Sequence, residues 1–313
     1  MTDGGKETAA ATAATRRGVF YGLAAYIVWG FFPLYFMAIK HVPPLEVVAH
    51  RIVWSMLFLA LLVTVTRRWR EVLAAVRLPR TLLTLCCSTA LIAANWLVFI
   101  YAIERGEVLQ SSLGYFITPL VNVFLGFALL GERLHRWQTV SLLLAITGVV
   151  VLTVSVGQVP WIALVLAVSF GLYGLMRKTV AVDSLVGLSI ETFLAGPVAF
   201  VFLARLGTSG EGAFLAGSLH DSLLLPTTGV VTAVPLLLFT AAARRLRLAT
   251  MGFLQYITPS FHFLLAVWVY GERFTPTHLL SFLCIWSGLA LYSWTAIAEA
   301  RRVTVDNPLP GME

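Results

Sequence analysis

Arg51 and Glu191 are ionisable residues set well inside apolar runs of this 313-residue sequence. A charged group at such depth is costly in lipid and ordinarily faces a cavity or a partner, so either residue is a candidate for substrate contact. Glu191 is also the candidate proton carrier. For Arg51 the competing reading is a side chain that snorkels to the interface. Asn95, Asn122, Gln255 and His262 lie near the middle of other apolar runs, where side chains of this kind join helices or bind the polar part of a solute. Trp29, Trp96, Tyr115, Phe116, Tyr173 and Tyr256 would supply aromatic walls for a mostly apolar pocket. Any one of them is more often packing than recognition, but together they suit an aromatic or amphipathic solute better than a polyphosphate. Glu46 and His50, one helical turn apart and nearer an interface, read as solvated.

Enzyme chemistry finds no support in the residue patterns. There is no phosphate-binding glycine loop, no nucleophile elbow and no paired His/Cys spacing, so no catalytic residue, metal or cofactor is assigned. Cys86, Cys87 and Cys284 fall inside apolar runs and read as small packing residues. Without a nucleotide-binding unit, a pump driven by hydrolysis within this chain is excluded as well.

The elements that must position these side chains are duplicated. Residues 110 to 133 align with 250 to 273 at an offset of 140, with Ile117-Thr118-Pro119 matching Ile257-Thr258-Pro259 and Gly131-Glu132-Arg133 matching Gly271-Glu272-Arg273. Ser141, Leu143 and Gly148 recur as Ser281, Leu283 and Gly288, and Asn122 aligns with His262. Pro119 and Pro259 each fall near the middle of an apolar run. There a proline removes a helical hydrogen bond and frees a carbonyl, which makes the pair candidate hinges. Gly131 and Gly271 fit positions just past a helix end, where positive φ is needed, and the adjacent glutamates are expected in water.

With 59% hydrophobic and 12% charged residues, arranged in runs near 20 long, the sequence predicts an all-α polytopic membrane protein. Ten transmembrane helices are expected, at 18–38, 45–66, 81–103, 108–130, 138–156, 160–176, 184–205, 222–243, 248–270 and 277–297. The basic segment between Arg67 and Arg80 reads as an interfacial helix, and the Gly/Ser-rich segment from Leu206 to Asp221 as an external loop. With the N-terminus inside, 17 of the 22 Lys and Arg residues fall on one side. Four fall on the other (Lys40, Arg105, Arg205 and Arg273), and Arg51 lies within a span. The positive-inside rule then places both termini of a multi-pass protein in the cytoplasm. The net charge of +7 is thereby a topology signal and not a nucleic-acid footprint.

Domains follow as a disordered cytoplasmic tail over 1–17, five-helix repeats over 18–157 and 158–300, and a cytoplasmic tail over 301–313. Five is odd, so the second repeat enters the membrane inverted. Two inverted copies of one pattern can adopt two unequal conformations, and exchanging them would expose a central site to each side in turn.

These residues also carry a resemblance. Leu23 to Gly30 (LAAYIVWG), His50 to Ser55 (HRIVWS), Asn95 to Phe99 (NWLVF), Ser112 to Asn122 (SLGYFITPLVN), Gly171 to Lys178 (GLYGLMRK), Thr232 onward to Leu248, and Gly252 to Pro259 are similar to the EamA family of the drug/metabolite transporter superfamily, and within it to the RarD group. The resemblance implies a carrier of small metabolites or drugs in the inner or plasma membrane, with a cavity formed by spans one to four and six to nine. Spans five and ten would be peripheral and available for a homodimer. The expected partners are a small-molecule substrate, the lipid bilayer and a proton as coupling ion. Secondary active transport, as an exporter of small amphipathic or aromatic metabolites, amino acids or drugs, is the leading function. The alternatives are a non-transporting membrane sensor or assembly partner and a flippase for lipid-linked solutes.

Overall fold

The computed structural model describes residues 3–104, 108–156, 161–214, 218–269 and 276–306, all helical or in short connections, with no strand among them. Helices follow because an apolar segment in lipid has to satisfy its own backbone. Among the described residues, seven stretches are long and apolar enough to cross a bilayer by length and composition: Ala13–Met37, Pro44–Val65, Pro79–Phe99, Arg136–Ser155, Trp161–Thr179, Ser184–Ser209 and Leu219–Ala243. The three other expected spans correspond to the shorter apolar helices Gly114–Leu130 and Leu279–Thr295 and to a helix broken in its middle.

In chain order, α1 (Asp3–Gly30) and α2 (Phe32–Met37) are one span interrupted at Phe31, with Pro33 at the start of α2. Then come α3 (Pro44–Val65), α4 (Trp69–Val76), α5 (Pro79–Glu104), α6 (Val108–Leu130), α7 (Arg136–Val156), α8 (Trp161–Thr179), α9 (Ser184–Ser209) and α10 (Leu219–Ala243). The chain closes with α11 (Leu248–Gln255), α12 (Ile257–Trp268) and α13 (Pro276–Asp306). Short α4 keeps Val72 and Ala75 buried while Trp69, Leu73 and Val76 stay exposed among arginines, as an interfacial helix should.

Several boundaries differ from expectation. The tail over 1–17 was expected to lack structure, yet α1 begins at Asp3. The Ala-rich run from Ala9 to Ala14 has high helix propensity and simply extends the span that follows. Likewise α13 continues to Asp306, into the expected C-terminal tail. Arg105 and the second Gly271-Glu272-Arg273 motif lie outside the described residues. Gly131 is described, and it takes the left-handed conformation expected past the end of α6, with φ +63°.

The two prolines behave differently despite their matched positions. Helix α6 runs unbroken through Pro119, whereas α11 stops at Gln255 and α12 restarts after Tyr256, three residues before Pro259. Losing one amide does not by itself break a helix, and local packing decides which copy opens.

Packing crosses between the two halves. Helix α1 lies against α10 and α12, α5 against α8, α6 against α8 and α11, α3 against α9 and α10, and α7 against α13. The main core cluster joins Tyr26 of α1, Leu59 of α3, Tyr173 of α8, Leu188 of α9 and Phe239 of α10. The contact of α7 with α13 explains the recurrent serines and glycines. A Cβ on Gly148 would come within 2.7 Å of the Ser281 carbonyl, and one on Gly288 within 2.7 Å of the Ser141 carbonyl. Each serine therefore packs on the other helix's glycine. Ser281 Oγ also donates to the Gly148 carbonyl at 2.6 Å.

Candidate functional site: a central aromatic cavity and a buried ion pair

Between the halves lies a cavity of about 470 Å³, the size of a site for a small solute. Its walls come from α1, α2, α3, α5, α6, α8, α10, α11 and α12. Of the side chains expected there, Trp29, Arg51, Asn95, Trp96, Tyr115, Gln255 and His262 line it, and so does the candidate hinge Pro259. Also in the wall are Phe36, Phe99 and Phe170, whose only sequence signal is membership in apolar runs, Thr258, which the repeat matches to Thr118, and Lys40, which in sequence reads as a loop charge. The cavity reaches the connection between α2 and α3, at Lys40, Val42 and Pro44.

Arg51 faces this space instead of snorkelling to the interface. Its Nε donates to Thr232 Oγ1 on α10 at 2.9 Å, and its guanidinium carbon lies 5.3 Å from the ring centroids of both Phe36 and Trp96. Weak hydration lets a guanidinium settle among aromatic rings where an ammonium would not. Among the described residues no carboxylate pairs with it. His262 bonds through Nε2 to the Trp29 carbonyl at 3.1 Å and meets the Tyr115 ring edge-on, with centroids 5.8 Å apart. Asn95 donates to the Leu166 carbonyl and to Ser169 Oγ, both at 2.9 Å, which joins α5 to α8.

Other expected cavity residues lie elsewhere. Asn122 is buried and donates to Gln255 Oε1 at 2.9 Å, closing the floor between α6 and α11. Just there a Cβ on Gly252 would stand 2.5 Å from the Pro119 carbonyl, so the two backbones nearly touch. Pro119 thus sits at a helix crossing and not in the wall. Tyr256, at the break before α12, is packed with Phe116 and Phe282 and is core.

Glu191 and Tyr173 form a second layer beside the cavity. A narrow cleft of about 30 Å³, room for a water molecule or two, shares Arg51, Ile92, Trp96, Thr232 and Leu236 with the main cavity and reaches Glu191 and Tyr173. Glu191 accepts from Ser88 Oγ at 2.5 Å and from the Tyr173 hydroxyl at 3.3 Å. Its charge partner is Arg177, 3.6 Å away, with side-chain exposures of 0% for the arginine and 4% for the glutamate. The sequence placed Arg177 among the cytoplasmic loop charges. The fold instead turns it inward from the last turn of α8, where its other contact is the Ser184 carbonyl at 3.3 Å. Glu191 and Arg51 do share the cleft wall, though no direct pair forms.

Beyond this layer, on the side away from Lys40, polar contacts tie the helix ends together. Glu132, expected in water, accepts the backbone N–H groups of Leu248 and Ala249 at 2.7 and 3.0 Å and caps α11. Gly131 gives the turn that brings it there. Lys178 donates to the Ala243 and Leu246 carbonyls, and Arg247 to the Arg133 carbonyl. Asp183, the N-cap of α9, pairs with Arg68 at 2.6 Å and Arg244 at 3.7 Å. Burial alone would raise the Asp183 carboxyl. Hydrogen bonds from Arg68 and the Leu185 amide, with the charges of Arg68 and Arg244, instead hold it below the ordinary carboxylate range.

Near the cavity mouth Glu46 is likewise buried and not solvated. It accepts from the Ala213 amide at 2.6 Å and folds the loop after α9 back onto α3, where Phe214 packs on His50 and Trp54.

An all-helical bundle that exposes long apolar helices and encloses an aromatic cavity with buried charges is a multi-pass membrane protein. Comparison with known proteins narrows the class. The model of the EamA-like transporter family matches residues 16–154 and again 159–294, one match in each half. Protein RarD of Escherichia coli K12 is 44% identical over 290 residues, covering 93% of this chain and 98% of the relative. An uncharacterized transporter, YojE, of Bacillus subtilis is 40% identical over 92% of this chain and 97% of its own. The chloramphenicol-sensitive protein RarD of Pseudomonas aeruginosa is 33% identical over 91% and 96%. One solved crystal structure superposes with a TM-score of 0.68 at 18% identity over 89% of this chain and 98% of that one, which is a likeness of fold. The chain belongs to the EamA-like transporter family, and within it to the RarD group.

Proposed function

We propose that this protein is a secondary active carrier that exports small amphipathic or aromatic solutes across the cell membrane by alternating access. The observation that carries this reading is the 470 Å³ cavity between the halves, which reaches exposed Lys40 and is floored by the Asn122–Gln255 bond. Ten spans arranged as two inverted five-helix repeats would make that cavity one of two mirror-related states. The unequal helices at Pro119 and Pro259, and the reciprocal glycine–serine packing of α7 and α13, support the inverted arrangement. With cytoplasmic termini, Lys40 is external and the state is outward-facing. The contacts around Glu132, Lys178, Asp183 and Arg247 then form the cytoplasmic closure.

Glu191 is the candidate coupling site. The cleft gives it a path from the cavity, and protonation would release Arg177 from its one charge partner among the described residues and weaken the layer beside the cavity. The test is an untargeted comparison of metabolites outside cells that overproduce the protein, with Glu191→Gln and empty-vector cells as controls. Enrichment of a compound by the unmodified protein alone is the expected result. With the protein present in the membrane and no compound enriched, export would give way to the sensor or flippase alternatives.

A further inference from the structure

Arg51 is a half-buried cation facing the cavity, whose binding capacity the protein does not use up. A guanidinium has five donors in a planar fork. Here Nε is taken by Thr232, two aromatic rings lie against the group, and among the described residues no acceptor occupies its terminal nitrogens. It lines the cavity together with Lys40, and no Asp or Glu is among the lining residues. By contrast, Arg177, which is fully buried, does have a carboxylate beside it.

We propose that the cavity binds organic monoanions, specifically aromatic carboxylates, with the carboxylate held by the free edge of Arg51 and the ring against Trp29, Trp96 and Phe170. This assignment deepens the carrier reading and rests on it. A planar carboxylate matches the two-pronged edge that the guanidinium leaves free. The ligand charge also neutralises a cation that has no carboxylate partner among the described residues. Lys40 at the mouth adds attraction on entry. Two cations, one deep and one at the mouth, suit a single negative charge and would leave a polyphosphate under-neutralised. The lack of an acidic group in the described lining leaves an ammonium without a counter-ion, so an aryl carboxylate fits better than the matching amino acid.

The test is equilibrium binding to the full-length protein in detergent micelles with three probes of one shape: 3-phenylpropionate, its uncharged amide, and L-phenylalanine. The expected result is that the carboxylate binds about tenfold or more tighter than the amide and tighter than the amino acid. Arg51→Gln should bring carboxylate and amide level, and Arg51→Lys, which keeps the charge but loses the fork, should fall between. Equal binding of carboxylate and amide to the unmodified protein would overturn the proposal without any variant. So would tighter binding of phenylalanine, no carboxylate binding at millimolar concentration, or discrimination that survives in a folded Arg51→Gln protein. Flux of the same probe in proteoliposomes separates the two readings. Binding without flux removes the carrier and leaves the anion site, whereas flux of the amide at the rate of the carboxylate removes the anion site and leaves the carrier.

Discussion

Neutralising Glu191 should cost stability because of what it leaves behind. Arg177 is fully buried, and its Nε and one terminal nitrogen have no hydrogen-bond partner among the described residues, so Glu191 at 3.6 Å is its compensation. At that distance an effective dielectric of about 20 gives an attraction of about 4–5 kcal/mol. Removing one member of a buried pair costs about 3–5 kcal/mol, which agrees. Replacing both members by apolar residues of similar size is commonly near neutral. Equilibrium unfolding in mixed micelles should therefore show Glu191→Leu and Arg177→Met each destabilised by about 3–5 kcal/mol, and the double variant by far less than their sum. The coupling should reach about 3 kcal/mol. If the pair also holds the cavity floor closed, the single variants should shift the open-to-closed ratio by a factor on the order of 10² to 10⁴. Additive effects, with coupling under about 0.5 kcal/mol, would refute the argument and make the pair an incidental neighbour contact.

Three further outcomes follow from the same geometry. Gly252→Ala should drive α6 and α11 apart, since the new methyl would meet the Pro119 carbonyl at 2.5 Å, at a cost of about 1–3 kcal/mol. An unchanged unfolding midpoint would show that these helices separate freely. Pro259→Ala should reduce turnover more than Pro119→Ala, because restoring an amide at 259 lets α11 and α12 rejoin and reshapes a wall that holds Gln255, Thr258 and His262. Equal loss, or none, measured as probe flux in proteoliposomes, would leave both as ordinary bends. Asp183 gives a pH signature whose sign is fixed. Its folded-state carboxyl is held low, so its contribution is complete above the unfolded value near 3.8 and is lost as pH falls through the lower folded value. Its 42% side-chain exposure keeps that contribution under about 1 kcal/mol. The stability gap between the unmodified protein and Asp183→Asn should be flat above about pH 5 and shrink below about pH 4. A gap that widens on acidification would contradict the pairing.

Residues whose environment follows from chain position alone were the legible ones. Trp29, Trp96 and Asn95 sit deep in apolar runs, and a polar or aromatic residue at that depth has few places to go but inward, whereas for Arg51 the sequence left snorkelling to the interface open. Gly131 was legible from its place after a helix end, and α4 from arginines that punctuate an apolar stripe. Arg177 was not. It stands two residues from the end of α8 beside Lys178, where a positive charge normally signals a loop. Only the packing of α9 against that helix, with the Gly187 backbone leaving room for the guanidinium, turns it into the core. Glu46 and Glu132 misled for the same reason, since their partners are backbone N–H groups 167 and 116 positions away.

Apolar run length, the 140-residue repeat and the distribution of arginines determined an all-helical membrane protein whose halves share one pattern, because each reports a local cost of placing backbone or charge in lipid. The tertiary structure decided which copy of a matched pair bends, which carboxylate meets which cation, and which of six intramembrane polar residues faces open space. Those outcomes depend on small differences between competing helix packings, to which residues distant in the chain contribute together.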